Sequence, residues 1–348
     1  LECLDLITTG DNNTAIGYQA LDANTTGAQN TALGQGAMGA NTTASNNTAI
    51  GREALKANTT GFQNTALGAA AGQTMTTANY NSALGDYSLQ AATTGSGNTA
   101  VGSNAMFAIT TGASNVAVGY QALDSATTVD NITAIGRSAL TALTTGVENS
   151  GFGFQAGTAV TTGTANTFVG YNAGLAVTTG TTNVLIGSTA GDAITTSSGN
   201  ICIGTDAGGN IATAGSGGNI AIGNYAGQHN QTGYRNVAVG STSGGGTGNY
   251  NVSVGYGAFA ANDTGGQNTC IGDAAGAAIT TGGQNTAVGY AALDACTTGA
   301  NNVAIGSNAG GAVTTATTGV FIGQNVAAAL TTGIENVFVG NNAAVAMT

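Results

Sequence analysis

Residues 13–29 read Asn13-Thr14-Ala15-Ile16-Gly17-Tyr18-Gln19-Ala20-Leu21-Asp22-Ala23-Asn24-Thr25-Thr26-Gly27-Ala28-Gln29, and at Asn30-Thr31-Ala32-Leu33-Gly34 the same order begins again. The glycine that closes the first five residues returns through the whole chain, from Gly17, Gly34, Gly51 and Gly68 to Gly340. It occurs twenty times; of the nineteen steps between copies, seventeen are 17 residues, one is 19 and one is 15. A fixed period this short is the signature of a stacked repeat, in which each coil touches only its neighbours. Positions are numbered below from this glycine, so that Ile16 stands at −1 and Tyr18 at +1.

Position −1 is apolar in all twenty copies and mostly β-branched, as in Ile16, Ile50, Val101 and Val339. Position −3 is Thr or Ser in eleven copies and Val or Ile in nine. Residues two apart share a face of a strand, and a short run of this kind suits a strand better than a helix. The spacing therefore predicts an all-β fold, a parallel β-solenoid (β-roll) of about 20 coils with 17 residues each. Each coil is expected to carry two short strands, Asn-x-Ala-Val-Gly and Ala-Leu-x-Ala-x, with Thr-Thr-Gly as the turn. The turn glycine, as in Gly27, is expected to supply a positive φ. The chain holds no Pro, as a stack with ladder bonds above and below nearly every strand requires. One uninterrupted array over 1–348 is expected, irregular only at 205–255, and spanning roughly 95 Å at about 4.8 Å per coil.

Position −4 is Asn in eighteen of twenty copies, including Asn13, Asn30, Asn47 and Asn64; Ile132 and Gly319 are the exceptions. Stacked amides at this spacing predict a structural ladder of side-chain hydrogen bonds. A column of calcium ligands is the alternative, but carboxylates are scarce and the calcium-binding nonapeptide pattern is missing.

Position −2 lies on the opposite face from −1. It is Ala in twelve copies and never charged. With the −1 column taken as the core, this small, uncharged second face is expected to be covered by further copies of the chain, most simply three around an axis; the plainer alternative is one slender two-layer solenoid whose Ala face is weakly polar. Charge falls at the edges of the coil, as at Arg52, Glu53, Lys56, Asp86, Asp124 and Glu148.

The chain carries 15 acidic and 4 basic residues, a net charge of −11. That balance argues against nucleic acid as a partner. No run of 18 apolar residues is present, so no membrane span is expected in this segment. The array starts and stops in mid-repeat and reads as an excerpt of a longer one, or as a processed chain. Its four cysteines have neither zinc-site nor framework spacing. They read as small apolar fillers, or else as bridges to an identical chain. No cofactor and no metal are expected. A single histidine, His229, without a nucleophile and carboxylate at matching spacing gives catalysis no footing, so the chain is not expected to be an enzyme.

The 19-residue and 15-residue steps end at Gly223 and Gly255 and compensate each other. This stretch holds His229, Tyr234, Arg235 and Tyr250, rare residue types in this chain, and is the candidate contact site on the shaft. A tolerated change in loop length is the plainer reading.

Asn115-Val116-Ala117-Val118-Gly119, Asn302-Val303-Ala304-Ile305-Gly306 and Asn13-Thr14-Ala15-Ile16-Gly17 resemble the Asn-Ser-Val-Ala-Ile-Gly signature of trimeric autotransporter adhesin heads. The full unit, with Asn24-Thr25-Thr26-Gly27, is also similar to the shaft repeats of tail-fibre-like proteins. The unit here is longer than the head repeat by the Thr-Thr-Gly turn, and its signature is one residue shorter. The resemblance implies a left-handed β-roll with three chains abreast, at the cell surface or outside the cell, binding extracellular matrix or glycan. The expected function is an extracellular structural fibre or adhesive shaft. The alternatives are the shaft of a phage tail fibre on a virion, or an ice-binding solenoid. Ice binding asks for outward Thr-x-Thr, whereas the recurring pair is the adjacent Thr25-Thr26.

Overall fold

The computed structural model describes residues 3–211, 217–228 and 230–346. The chain divides into two compact units, residues 1–172 and 173–348. Each is a parallel β-solenoid, and each has ten three-residue strands, one per coil. Those of the first run from Thr14–Ile16 to Thr167–Val169, and those of the second from Val184–Ile186 to Val337–Val339.

Within each unit every strand pairs in parallel with the next at equal repeat positions. Thr14 lies opposite Thr31 and Ile16 opposite Leu33, and the same register is kept up to Val320 opposite Val337. The register also survives the irregular steps: Ile201 faces Ile220, 19 residues on, and Val237 faces Val252, 15 residues on. Insertion and deletion therefore fall outside the strands. Strands of one face stack at about 4.8 Å per coil, so identical side chains form columns.

The coil has one strand, not two. The segment Ala-Leu-x-Ala-x was expected to be extended, but its positions +2 and +4 take left-handed backbone, as at Gln19 (φ 55°) and Leu21 (φ 51°). A third such position falls at −5, as at Gln29 (φ 59°). Left-handed residues cannot continue a strand. The segment still bonds from coil to coil, through Leu21 N–H to Ala37 C=O at 3.0 Å and Ala23 N–H to Gly39 C=O at 3.2 Å. It also closes turns on itself, with Asn24 N–H donating to Leu21 C=O at 3.2 Å. Such strained residues persist where the neighbouring coils over-determine the backbone.

The expected orientation of the strand is reversed. The small residues at −2 point into the coil and are fully buried, as are Ala32, Ala49, Phe168, Leu185, Cys202 and Phe321. The apolar −1 column faces out: Ile16 is 59% exposed, Leu67 46%, Ile305 41% and Val339 66%. The small face is therefore not a surface for another chain. It is the lining of the coil, closed by Ala at +3, by the residue at +4 and by the apolar residue at +7, as in Ala54, Leu55 and Met75. The interior is too thin for two large rows. A Cβ added at Gly191 (+4) would come within 2.8 Å of the Leu185 side chain (−2), and one at Gly310 within 3.2 Å of Phe321. Where −2 is Ala, as at Ala49 and Ala117, position +4 is free to be large, as at Leu55 and Leu123.

Candidate functional site

The Asn column at −4 links coil to coil through both ends of its amide. Asn13 Oδ1 accepts from Asn30 N–H at 3.0 Å, and Asn13 Nδ2 donates to Gly27 C=O at 2.7 Å. Asn30 Oδ1 accepts from Asn47 N–H at 3.0 Å, and Asn47 Oδ1 from Asn64 N–H at 2.9 Å. Asn47 Nδ2 and Asn64 Nδ2 reach the turn carbonyls of Gly61 at 2.8 Å and Ala78 at 2.7 Å. Asn30, Asn47 and Asn64 are buried, so these bonds satisfy groups that water does not reach. Both exceptions still serve the amide of the preceding coil: Ile132 N–H and Gly319 N–H donate to Asn115 Oδ1 and Asn302 Oδ1, each at 2.9 Å. Position 319 is Gly because the Phe321 ring occupies the space an added side chain would need.

A second buried ladder at +7 was not anticipated. Asn41 Nδ2 donates to Asn24 Oδ1 at 2.8 Å, and Asn58 Nδ2 to Asn41 Oδ1 at 3.4 Å. It ends where the next coil has Met75 in the column, and there Asn58 Oδ1 has no partner. Three successive Asn-Thr-Thr-Gly or Asn-Thr-Thr-Ala copies carry the signal for it.

The repeat glycine column is set by the distance between coils. Gly17, Gly34, Gly51 and Gly68 take φ of 133–139°, and a Cβ on Gly17 would lie 2.6 Å from the Gly34 carbonyl oxygen. The turn glycine works differently from expectation. Gly27 is not among the positive-φ glycines; a Cβ on it would lie 2.5 Å from Asn24 Oδ1 and would also meet the Ala44 carbonyl. Close approach, not backbone sign, leaves no room for a side chain at Gly27, while the same position holds Ala44, Ala78 and Val129 in other coils.

The outward sheet face carries the Thr/Val column at −3 beside the Ile/Leu/Val column at −1. In the first unit its +1 border holds a stack over four successive coils. The Arg137 guanidinium lies between the rings of Tyr120 and Phe154, at 5.9 and 5.6 Å. Phe154 in turn stacks on Tyr171, with centroids 5.3 Å apart and an 8° interplanar angle. The sequence shows this as four consecutive aromatic or Arg residues at +1.

In the second unit three of the four expected contact residues come together; His229 lies outside the described residues. Tyr234 and Tyr250 meet edge to face with centroids 5.2 Å apart. The Arg235 guanidinium lies 5.8 Å from the Tyr250 ring centroid, and its Nη1 donates to the Tyr250 hydroxyl at 3.5 Å. The hydrogen bond between the two phenols pushes the Tyr234 pKa up, and the same bond, with Arg235 beside it, lowers that of Tyr250. All three stand at −6 or −5, where Tyr250 N–H donates to Tyr234 C=O at 3.2 Å and Asn249 Oδ1 accepts from Tyr234 N–H at 3.0 Å.

Among the described residues no three His, Cys, Asp or Glu side chains gather as a metal site, and no helix is long and apolar enough to cross a membrane. Cys202, Cys270 and Cys296 are buried free thiols, and Cys3 is a half-buried one. Burial pushes the thiol pKa values up to about 12 for Cys202 and Cys270 and about 11 for Cys296. No family model matches this chain, and no curated protein matches it either.

Proposed function

We propose that this chain is part of an extracellular structural fibre, an adhesive shaft built from stacked β-coils, whose copies associate side by side through the outward sheet face. The supporting observation is the −1 column, in which Ile16, Leu33, Leu67 and Ile135 of the first unit and Ile271, Ile305 and Ile322 of the second stand more than a third exposed. A monomer in water does not retain a long contiguous apolar strip without a use for it. Within one unit the outward face, with its mixed Thr/Val −3 column and its −5 and +1 borders included, is nine strand spacings long, roughly 43 Å, and about 20 Å wide. That is on the order of 800 Å² per partner, the size of a standard stable interface. The −3 and −1 columns bear no charged residue in any coil, and charge stands at the borders of the face, as at Arg52, Asp86 and Arg137 (+1) and Glu148 (−5), so the centre of the face brings no unpaired charge together. The same architecture in the shaft of a virion tail fibre differs in setting, not in mechanics. Ice binding is less well supported: the outward pair is Thr-x-Ile or Val-x-Val, and the first Thr of the turn is engaged, with Thr25 Oγ1 donating to Thr42 C=O at 3.0 Å.

Sedimentation equilibrium tests this reading. The chain is expected to sediment as an oligomer at micromolar concentration. Leu33→Lys combined with Leu67→Lys is expected to yield a monomer with an unchanged far-UV spectrum. A monomeric parent chain would remove the proposal.

A further inference from the structure

The corner formed by Tyr234, Arg235 and Tyr250 is flanked by depressions on both sides. In most coils positions −6 and −5 carry side chains. On one side of the corner the preceding coils place Ser198-Gly199 and Gly217-Gly218 there, and an open groove of about 600 Å³ lies over Ser197, Ser198, Gly217 and Gly218, walled by the two tyrosines. On the other side Gly266 and Gly283 lower the floor, and a groove of about 550 Å³ is bordered by Tyr250, Thr264, Gln267 and Gln284. Tyr250 is the ridge common to both. A Cβ on Gly217 would meet the Ser198 carbonyl, so no side chain fits there, whereas one on Gly218 would stand in ordinary contact with the Arg235 stem at 3.5 Å.

The walls combine aromatic faces, neutral hydroxyls and amides, and one guanidinium. Aromatic faces are electron-rich and attract the polarised C–H edges of a ring packed on them. The hydroxyl and amide groups offer both donors and acceptors. Gln284 Nε2 already bonds to Gln267 Oε1 at 3.0 Å, which fixes both amides along the groove edge. Arg235 has no carboxylate within salt-bridge distance among the described residues, and its fork matches a carboxylate. Nucleic acid, whose affinity is summed over many phosphate contacts, is disfavoured by a single cation at the site. An apolar peptide anchor would find a polar, glycine-lined floor in place of a hydrophobic pocket.

We infer that this corner is a subsite for an extended acidic glycan, in which a pyranose ring packs against Tyr250 in the Gly217-Gly218 groove and a uronate carboxylate pairs with Arg235. Its biological setting rests on the adhesive-shaft reading, but its test does not.

Calorimetric titration of the full chain with oligogalacturonate and with its methyl ester, which replaces each carboxylate by a neutral ester, decides it. Saturable binding of the acid form is expected. Tyr250→Ala should weaken it by about tenfold or more, the usual loss when one aromatic stacking partner is removed. Arg235→Gln should bring the acid form down to the affinity of the ester. Both residues are exposed, and an unchanged far-UV spectrum and sedimented mass show that the variants keep the fold and assembly. No binding of either oligomer at millimolar concentration overturns the proposal. So does full affinity in Tyr250→Ala, or equal affinity of the parent chain for acid and ester. A monomeric parent that still binds the acid form through Tyr250 would remove the shaft reading and leave this subsite standing.

Discussion

At the scale of single residues, the repeat glycine is required by two separate constraints, and the chain contains the control that separates them. Gly51 has φ 137° and lies against the Gly68 carbonyl of the next coil; Gly340 has φ 134° but meets nothing closer than Ala343 Cβ at 3.9 Å. Gly51→Ala adds a steric clash to the conformational strain and is expected to destabilise by about 2–4 kcal/mol. Gly340→Ala carries the strain alone and is expected to cost about 1 kcal/mol. Denaturant melts of the two variants check the difference, and equal losses would mean that contact between coils is not what selects glycine. The Asn ladder follows the same principle of stacking. Its value lies in closing the polar groups of a buried column, so a missing link such as Ile132 is tolerated while its own N–H still reaches Asn115.

At the scale of one coil, stability depends on volume shared between the strand and the wall opposite. Leu185 with Gly191, Cys202 with Gly208 and Cys270 with Gly276 all pair a larger inward residue with a glycine, whereas Ala49 pairs with Leu55 and Ala117 with Leu123. Gly191→Ala should therefore overpack the coil, with a loss of about 1–3 kcal/mol. Adding Leu185→Ala should recover part of that loss instead of adding to it, because the pair then approaches the Ala-with-larger-residue arrangement used elsewhere. A double-mutant cycle from thermal or denaturant unfolding measures the coupling, and simple additivity would show that the two columns do not share space. The coil with Ala238 opposite Gly244 has small residues on both sides, and a cavity of about 20 Å³ lies there, bordered also by Asn230 and Ser253. Asn230 Oδ1 has no protein partner, and the volume suits one water molecule.

For the molecule as a whole, the buried thiols tie stability to alkaline pH. Their folded pKa values, about 12 for Cys202 and Cys270 and about 11 for Cys296, lie above the ordinary 9.0. The folded chain thus holds protons that the unfolded chain releases. This contribution is fully present below about pH 9 and is lost as the pH rises toward 11–12. Unfolding midpoints should fall across that window, and Cys202→Ala should flatten the slope. At pH 8 iodoacetamide should label Cys3 alone until denaturant is added; rapid labelling of four thiols in the native chain would contradict the burial. The sequence by itself determined the period, the parallel in-register stack, the Asn column and the division of strand residues into two faces, because repetition and a side-chain alternation of two leave no other arrangement. It did not determine which face points inward. Alternation separates Ala32 from Leu33 but does not label either as core, and preference for the more apolar column chooses wrongly here. The parity of Asn30 with Ala32 is the one hint, since a ladder that binds turn carbonyls must lie inside. Only the tertiary structure decided the matter: a 17-residue coil with one strand and three left-handed turns encloses a space so thin that small residues must line it. The larger Ile, Leu and Val side chains are left outside, on the face where another copy of the chain would find them.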